Sequence, residues 1–333
     1  MQVSEVQQED FVAEVDRQIT RAYELAERGD VAGAVELFGE IRDFGERPQL
    51  KPLVDKLENG FRASVSAERD KFRTFIREGN PSDPERRIVI LADSLGLPRP
   101  EHPNDILNGL PTSYAFALRE AVARRAAEEG APATAIDPLC QRYATTDRVL
   151  ENMALAQLDG ADLIIHVGLN DFSRRIFMER QRLALKLLPN ALVNRIVKFS
   201  QVNMYRADLI RHFSEFCYVP LDKWVANIQS IIDKANAAGA RSLTWFTIVQ
   251  LPMTVESHTP NYRYNVTRYN LALYEAARRG DIQLLDADRM FWDHGYKAHM
   301  HSDLMHLSPK GHVSICNRMI ERLFDVKAYR VHE

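Results

Sequence analysis

The sequence predicts an α/β protein with a central parallel sheet, preceded by a helical region. Three observations carry that prediction. From about residue 85 onward, short β-rich runs alternate with helical segments, the order expected of βαβ units. The runs Ile88-Val89-Ile90-Leu91 and Leu163-Ile164-Ile165 are apolar on consecutive residues, as in strands covered on both faces. The chain has 333 residues, 45% of them hydrophobic, which is ample for one large domain, or for a medium domain with a small accessory one.

Taken in chain order, apolar residues recur at helical spacing over 11–44, and Gly29-Asp30 interrupts them where a helix pair would turn. The phrase Ala22-Tyr23-Glu24-Leu25-Ala26-Glu27-Arg28-Gly29-Asp30, followed by Ala34-Val35-Glu36-Leu37-Phe38, resembles one tetratricopeptide unit. A single unit does not bury its own face, and no second copy follows at the required period. More helix is expected over 50–76. Breakers and turn formers then collect over 78–84 and mark the expected boundary between a helical accessory region, 1–80, and an α/β domain, 85–326. The strands expected there are 87–91, 133–136, 162–167, 242–249 and 282–285. The segment 172–219 is long for a connection. Leu183, Leu187, Leu188, Leu192, Val193, Ile196 and Val197 keep helical spacing within it, so it reads as two or three helices with an apolar face. A further helix starts near Pro220. Ser308-Pro309 reads as the N-cap and first position of a closing helix that runs to about Phe324.

A formal net charge of −3 gives no global reason to expect nucleic acid as a partner. The first ten residues have neither a basic n-region nor an apolar h-region, and no apolar run is long enough to span a bilayer. The three cysteines, Cys140, Cys217 and Cys316, are far apart and odd in number, which fits neither a disulfide framework nor a zinc cluster. Reduced thiols in a cytoplasmic protein are the expectation. The Gly-x-Ser-x-Gly elbow, the lysine-containing P-loop and the dinucleotide glycine fingerprint are all missing, and no cofactor is expected.

In open parallel sheets ligands sit at the carboxyl ends of strands. The first strand ends in Asp93-Ser94-Leu95-Gly96; alone, an Asp-Ser pair there is more often a helix cap. The third ends in Gly168-Leu169-Asn170-Asp171, which turn chemistry alone would explain. Asp303 and His306 stand three residues apart and, on one helical turn, would face the same way, close enough for the carboxylate to hold the imidazole. His294, His299, His301, His306 and His312 crowd the C-terminal end, but no His-Glu-x-x-His pattern or cysteine pair accompanies them, and no metal site is expected. His301 and His312 read as neighbours of the site or surface residues, and Asp93 and Asp171 as turn caps.

Together, Asp93-Ser94, Gly168-Leu169-Asn170-Asp171 and Asp303-Leu304-Met305-His306-Leu307 resemble the first, third and fifth sequence blocks of the SGNH (GDSL-like) hydrolases, in that family's order and at strand ends. The resemblance covers about 86–324. It implies a three-layer α/β/α, flavodoxin-like fold with Ser94 as nucleophile, His306 as base and acid, and Asp303 fixing the imidazole tautomer. Asn170 would be the side-chain donor of an oxyanion hole, beside the Ser94 N–H. The family's second block usually supplies a glycine N–H as a third donor. The matching stretch Cys140-Gln141-Arg142-Tyr143-Ala144-Thr145-Thr146 has no glycine, and Ala144 is placed there. Ala92 also stands where the first block usually has glycine. Gly168, Arg174 and Arg175 are the expected substrate-binding residues.

The segment 172–219 carries Arg174, Arg175, Arg180, Arg182, Lys186, Arg195, Lys198, Arg206 and Arg211 against Glu179, Asp208 and Glu215. It reads either as a solvated helical face or as a lid that draws in an anionic substrate, with membrane-surface docking as another use of the same charge. The expected function is an esterase or deacylase acting on an O-acyl ester of a small molecule or glycan. An O-acyltransferase with a sugar hydroxyl as acceptor would use the same residues. The third reading is a non-catalytic binding module whose N-terminal helices recruit a protein partner.

Overall fold

The computed structural model describes residues 5–98, 112–201, 208–209, 212, 217–253 and 261–325, with side chains from Asp10 onward. Arg206, Arg211 and Glu215 of the basic segment lie outside them. In chain order the elements are α1 (Glu5–Glu27), α2 (Val31–Arg42), α3 (Lys51–Glu78), β1 (Arg86–Ala92), α4 (Tyr114–Glu129), β2 (Thr134–Cys140), α5 (Thr146–Asn152), β3 (Asp162–His166) and α6 (Leu169–Phe172). There follow α7 (Glu179–Ala184), α8 (Asn190–Gln201), α9 (Leu221–Ala237), β4 (Ser242–Phe246), α10 (Tyr262–Arg278), β5 (Gln283–Leu285), α11 (Ala287–Asp293), α12 (Tyr296–His299) and α13 (Pro309–Phe324). Among the described residues no helix is long and apolar enough to cross a membrane.

Chain contacts divide the protein into two compact units, one of Met1–Ser64, Ser173–Cys217 and Met253–Tyr262, the other of Val65–Phe172, Tyr218–Pro252 and Arg263–Glu333. Helix α3 contributes to both. The second unit holds the sheet, five strands in the order β2-β1-β3-β4-β5, every neighbouring pair parallel. That is the flavodoxin-like order, with its switch of direction between β1 and β3. Helix α4 packs on α13, and α5 on α9; right-handed crossovers put these pairs on opposite faces and make three layers. All five residues of β3 are buried, in keeping with the consecutive apolar residues Leu163-Ile164-Ile165 at its centre.

Two strands end elsewhere than expected. Strand β2 continues past 136 through Asp137-Pro138 to Cys140. Proline has no N–H to give a ladder, but β2 is the sheet edge and pairs with β1 alone, the place where proline is tolerated. Strand β4 stops at Phe246 rather than 249, because the Ile248 N–H and carbonyl are taken by the side-chain amide of Asn270, at 2.8 Å each. The β2 edge is secured from α3. Arg73 forks onto Asp137 (2.6 and 2.8 Å), Arg69 donates to Asn152 (2.8 Å), and the Asn80 amide exchanges hydrogen bonds with the Ile136 backbone.

In the first unit, Gly29 (φ +83°) closes α1 and the Asp30 side chain caps α2 through the Gly33 N–H, as the Gly-Asp pair predicts. The helical pair does not bury its face alone. Val15, Ile19, Phe38, Ile41 and Phe44 share one apolar core with Leu185, Leu192, Ile196 and Phe199 of the 173–217 segment. Phe199 stacks on Phe38 with ring centroids 5.3 Å apart and meets Tyr23 edge-on. The apolar face of 172–219 is thus spent on the hairpin, and two of its arginines pair with the N-terminal region. Arg180 bonds Glu46, Asp55 and Glu58, and Arg195 reaches Asp16 and Thr20.

Candidate active site

Strand β1 delivers a serine to the switch point. Asp93 still bonds the sheet through its N–H to the His166 carbonyl (3.2 Å), while its carboxylate turns back to accept from the Leu95 N–H (2.8 Å). This caps a single 3-10 turn over Ser94–Gly96 and leaves Ser94 where the chain departs from the sheet. Gly96 is needed for close packing. A Cβ there would stand 2.6 Å from both Ala92 Cβ and Cys140 Sγ.

Strand β3 delivers the second contribution. Gly168 bends the chain into α6 with φ +137°, and a Cβ on it would meet the Ile248 side chain at 2.6 Å, so only glycine fits. Asn170 follows, 7% exposed. Its Nδ2 donates to the Ala144 carbonyl (3.2 Å) and reaches Asp93 Oδ2 at 3.5 Å, the second contact being at the limit of a hydrogen bond.

The third contribution comes from the loop between α12 and α13, and here the expectation of a helical turn is corrected. Met300 and Leu307 bridge antiparallel, and the His301 N–H donates to the His306 carbonyl (2.7 Å). The segment between them is a tight turn with Leu304 in the left-handed region, φ +59°. The Asp303 carboxylate accepts from the Met305 and His306 N–H groups, both at 3.1 Å, and the Tyr296 hydroxyl donates to the Leu304 carbonyl (2.6 Å). Asp303 and His306 face one another because this turn folds them together. The closing helix then begins as expected, Ser308 capping α13 through the Gly311 N–H with Pro309 in the first turn.

The three segments bring Ser94, His306 and Asp303 into line. His306 Nδ1 lies 2.6 Å from Asp303 Oδ2, and His306 Nε2 lies 3.2 Å from Ser94 Oγ. A carboxylate only accepts, so Nδ1 carries the proton and Nε2 is left to accept from the serine hydroxyl. Partial burial pushes the Asp303 carboxyl up, but hydrogen bonds from the His306 ring and from the His306 and Met305 backbone outweigh it and hold the group well below the usual carboxylate range. Asp303 is an anion aimed at the ring.

Other expected residues fall differently. The Ala144 N–H donates to the Gln141 carbonyl (3.1 Å), which commits it to the turn after β2. In that turn Tyr143 has the left-handed conformation that favours glycine, φ +60°; no glycine in the sequence marks it. Arg174 and Arg175 fall in the unit that holds the N-terminal helices. His312 is no surface residue. It is 2% exposed, and its Nδ1 accepts the Tyr114 N–H (3.3 Å), while His166 Nδ1 lies 3.3 Å from the Tyr114 hydroxyl. Burial pushes both rings down to about 3, helped at His312 by the charges of His166 and His306. They form an uncharged floor. His301 bonds its neighbour Ser302 (3.1 Å).

Asp93 and Asp171, read from sequence as turn caps, do cap. Asp171 Oδ1 accepts from the Thr146 N–H and hydroxyl (2.8 and 2.6 Å) at the start of α5. Both carboxyls are fully buried, and burial raises each to about 7, with Asp171 adding repulsion at Asp93. Tyr296, which holds the Asp303 turn, and Tyr143 are the residues that sequence reasoning passed over.

The stretch 113–313 matches the profile of the GDSL-like Lipase/Acylhydrolase family, a span that includes Asn170, Asp303 and His306 and begins after Ser94. Solved structures similar to this chain include a lipase/acylhydrolase from Enterococcus faecalis, 13% identical over 74% of this chain and 100% of that one, with a TM-score of 0.46. The acetylxylan esterase Axe2 from Geobacillus stearothermophilus is 14% identical over 72% of this chain and 94% of that one, also at 0.46. LAE5, an α/β hydrolase enzyme from the metagenome of Lake Arreo, Spain, is 15% identical over 71% of this chain and 94% of its own, again at 0.46. No curated protein sequence matches the chain. A parallel sheet in flavodoxin-like order, and a family profile matched over more than half of the residues, establish that this protein belongs to the GDSL-like lipase/acylhydrolase family.

Proposed function

We propose that the protein is a serine esterase that cleaves an O-acyl ester through an acyl-enzyme on Ser94. One observation carries the reading: the continuous run of contacts from Ser94 Oγ to His306 Nε2 (3.2 Å) and from His306 Nδ1 to Asp303 Oδ2 (2.6 Å). In the first step Ser94 Oγ bonds to the ester carbonyl carbon as its proton passes to His306 Nε2. The resulting imidazolium is stabilised by the anionic Asp303. Collapse of the tetrahedral intermediate breaks the carbon–alkoxy bond, and His306 returns the proton to the departing alkoxide. Water then repeats the sequence on the acyl-enzyme, His306 taking its proton, and releases the acid and Ser94.

The intermediate's oxyanion needs donors that are already in place. The Ser94 N–H and Asn170 Nδ2 take this role. Asn170 is anchored by the Ala144 carbonyl (3.2 Å), and its longer contact to Asp93 (3.5 Å) is the weaker one, which an oxyanion would displace. Ser94→Ala tests the proposal. The variant should stay folded, since Ser94 is half-buried and packs little, yet lose turnover of p-nitrophenyl acetate. A fluorophosphonate should label the wild type at Ser94. Labelling of a different serine, with activity intact in the alanine variant, would end the assignment.

A further inference from the structure

An apolar cavity is walled in part by chain neighbours of the proposed reacting groups. Leu95 follows Ser94, Leu169 precedes Asn170, and Met305 and Leu307 flank His306; Ile248 and Phe291 close the far side. The two polar residues in the lining turn their polar atoms elsewhere. Thr247 Oγ1 donates to Asp286 (3.1 Å) and accepts from the Asp288 N–H (3.2 Å), and His166 Nδ1 faces Tyr114 (3.3 Å).

The space is shallow. It is a cavity of about 20 Å³, where a single water already needs roughly 10–15 Å³. Its far wall does not retreat. Ile248 is clamped by two backbone hydrogen bonds to Asn270 (2.8 Å each) and packs against Gly168, where even one added carbon would lie 2.6 Å from it. Phe291 is fully buried.

We propose that this cavity is the acyl pocket and that its size restricts the enzyme to esters of short unbranched acids such as acetate, with longer chains excluded. The inference rests on Ser94 being the nucleophile, and the test separates the two. kcat/KM is measured on p-nitrophenyl acetate, butyrate and octanoate for the wild type, Ser94→Ala, Ile248→Ala and the milder Ile248→Val. In the wild type it should fall at least ~10-fold from acetate to butyrate, the scale of discrimination that added methylenes impose in a tight apolar pocket, and further for octanoate. Ile248→Ala, or Ile248→Val if the alanine variant does not fold, should raise the butyrate-to-acetate ratio several-fold. A flat or rising profile in the wild type while Ser94→Ala is inactive would overturn the pocket and leave the esterase standing. So would a ratio unmoved by both Ile248 variants. Turnover surviving in Ser94→Ala would instead overturn the nucleophile on which the pocket depends.

Discussion

Asn170 and Asp93 touch one another, and each carries a distinct expectation. If Asn170 Nδ2 meets the oxyanion, it stabilises charge that exists mainly in the transition state, so Asn170→Ala should lower kcat by about 10²–10³ with little change in KM. Steady-state kinetics on p-nitrophenyl acetate measure this, and a loss below threefold would return Asn170 to a turn residue. Asp93 bears on stability. Its carboxyl rises from an ordinary value near 3.8 to about 7 through burial, so the folded state holds the proton more tightly than the unfolded one. That stability is whole below pH 3.8 and is lost as pH climbs towards 7, at roughly 1 kcal/mol per pH unit crossed. Asp93→Asn keeps the shape without the titration and relieves Asp171 of a neighbouring charge. Denaturation midpoints should therefore shift in favour of the variant between pH 5 and pH 8. An equal difference at both values would show that Asp93 does not resist ionisation in the fold.

Among the elements, the edge strand β2 depends most on a partner far along the chain. Arg73 of α3 covers Asp137, their side chains 16% and 10% exposed, and also donates to the Leu155 carbonyl (2.8 Å). Arg73→Ala would leave the Asp137 charge buried and unpaired, a loss of about 3–5 kcal/mol, whereas Arg73→Met combined with Asp137→Leu should recover most of it. Urea unfolding of the three proteins checks this. A cost under about 1 kcal/mol for the single variant would match a surface pair instead. A chain begun at Ser82 would lose Arg69 and Arg73 together and leave Asp137 and Asn152 without these partners. The Asp303–His306 loop makes the complementary point. Its geometry comes from the Met300–Leu307 bridge and the Tyr296 hydroxyl, not from helical periodicity.

At the scale of the whole molecule, Arg180 and Arg195 of the basic segment pair with carboxylates of the N-terminal region inside one compact unit. Arg180 alone meets three carboxylates, on Glu46, Asp55 and Glu58. Arg180→Gln should destabilise the protein by about 1 kcal/mol, less at high salt, while kcat/KM on p-nitrophenyl acetate and its salt dependence stay unchanged. Thermal melts at low and high salt, beside the kinetics, test both halves. A loss of turnover on this neutral ester would show that Arg180 supports the geometry of the site, because a lid that draws in an anionic substrate leaves a neutral one unaffected. Much of this protein was decided by local sequence. Consecutive apolar residues over 88–91 and 163–165, in short runs rich in β-branched side chains, form strands and are all buried. Gly29-Asp30 and Ser308-Pro309 punctuate helices by their own backbone chemistry, and a serine and an asparagine just past strand ends, with an Asp-x-x-His before the closing helix, mark the candidate site. Tertiary structure decided what depends on residues distant in sequence. Pro138 sits within a strand because that strand is the edge, Leu304 and Tyr143 hold left-handed backbone that no glycine announces, and His312 is buried beneath a helix it caps from within. The face that 11–44 cannot bury alone is covered by 173–217, because an apolar stripe specifies that it must be covered and leaves the partner to the fold.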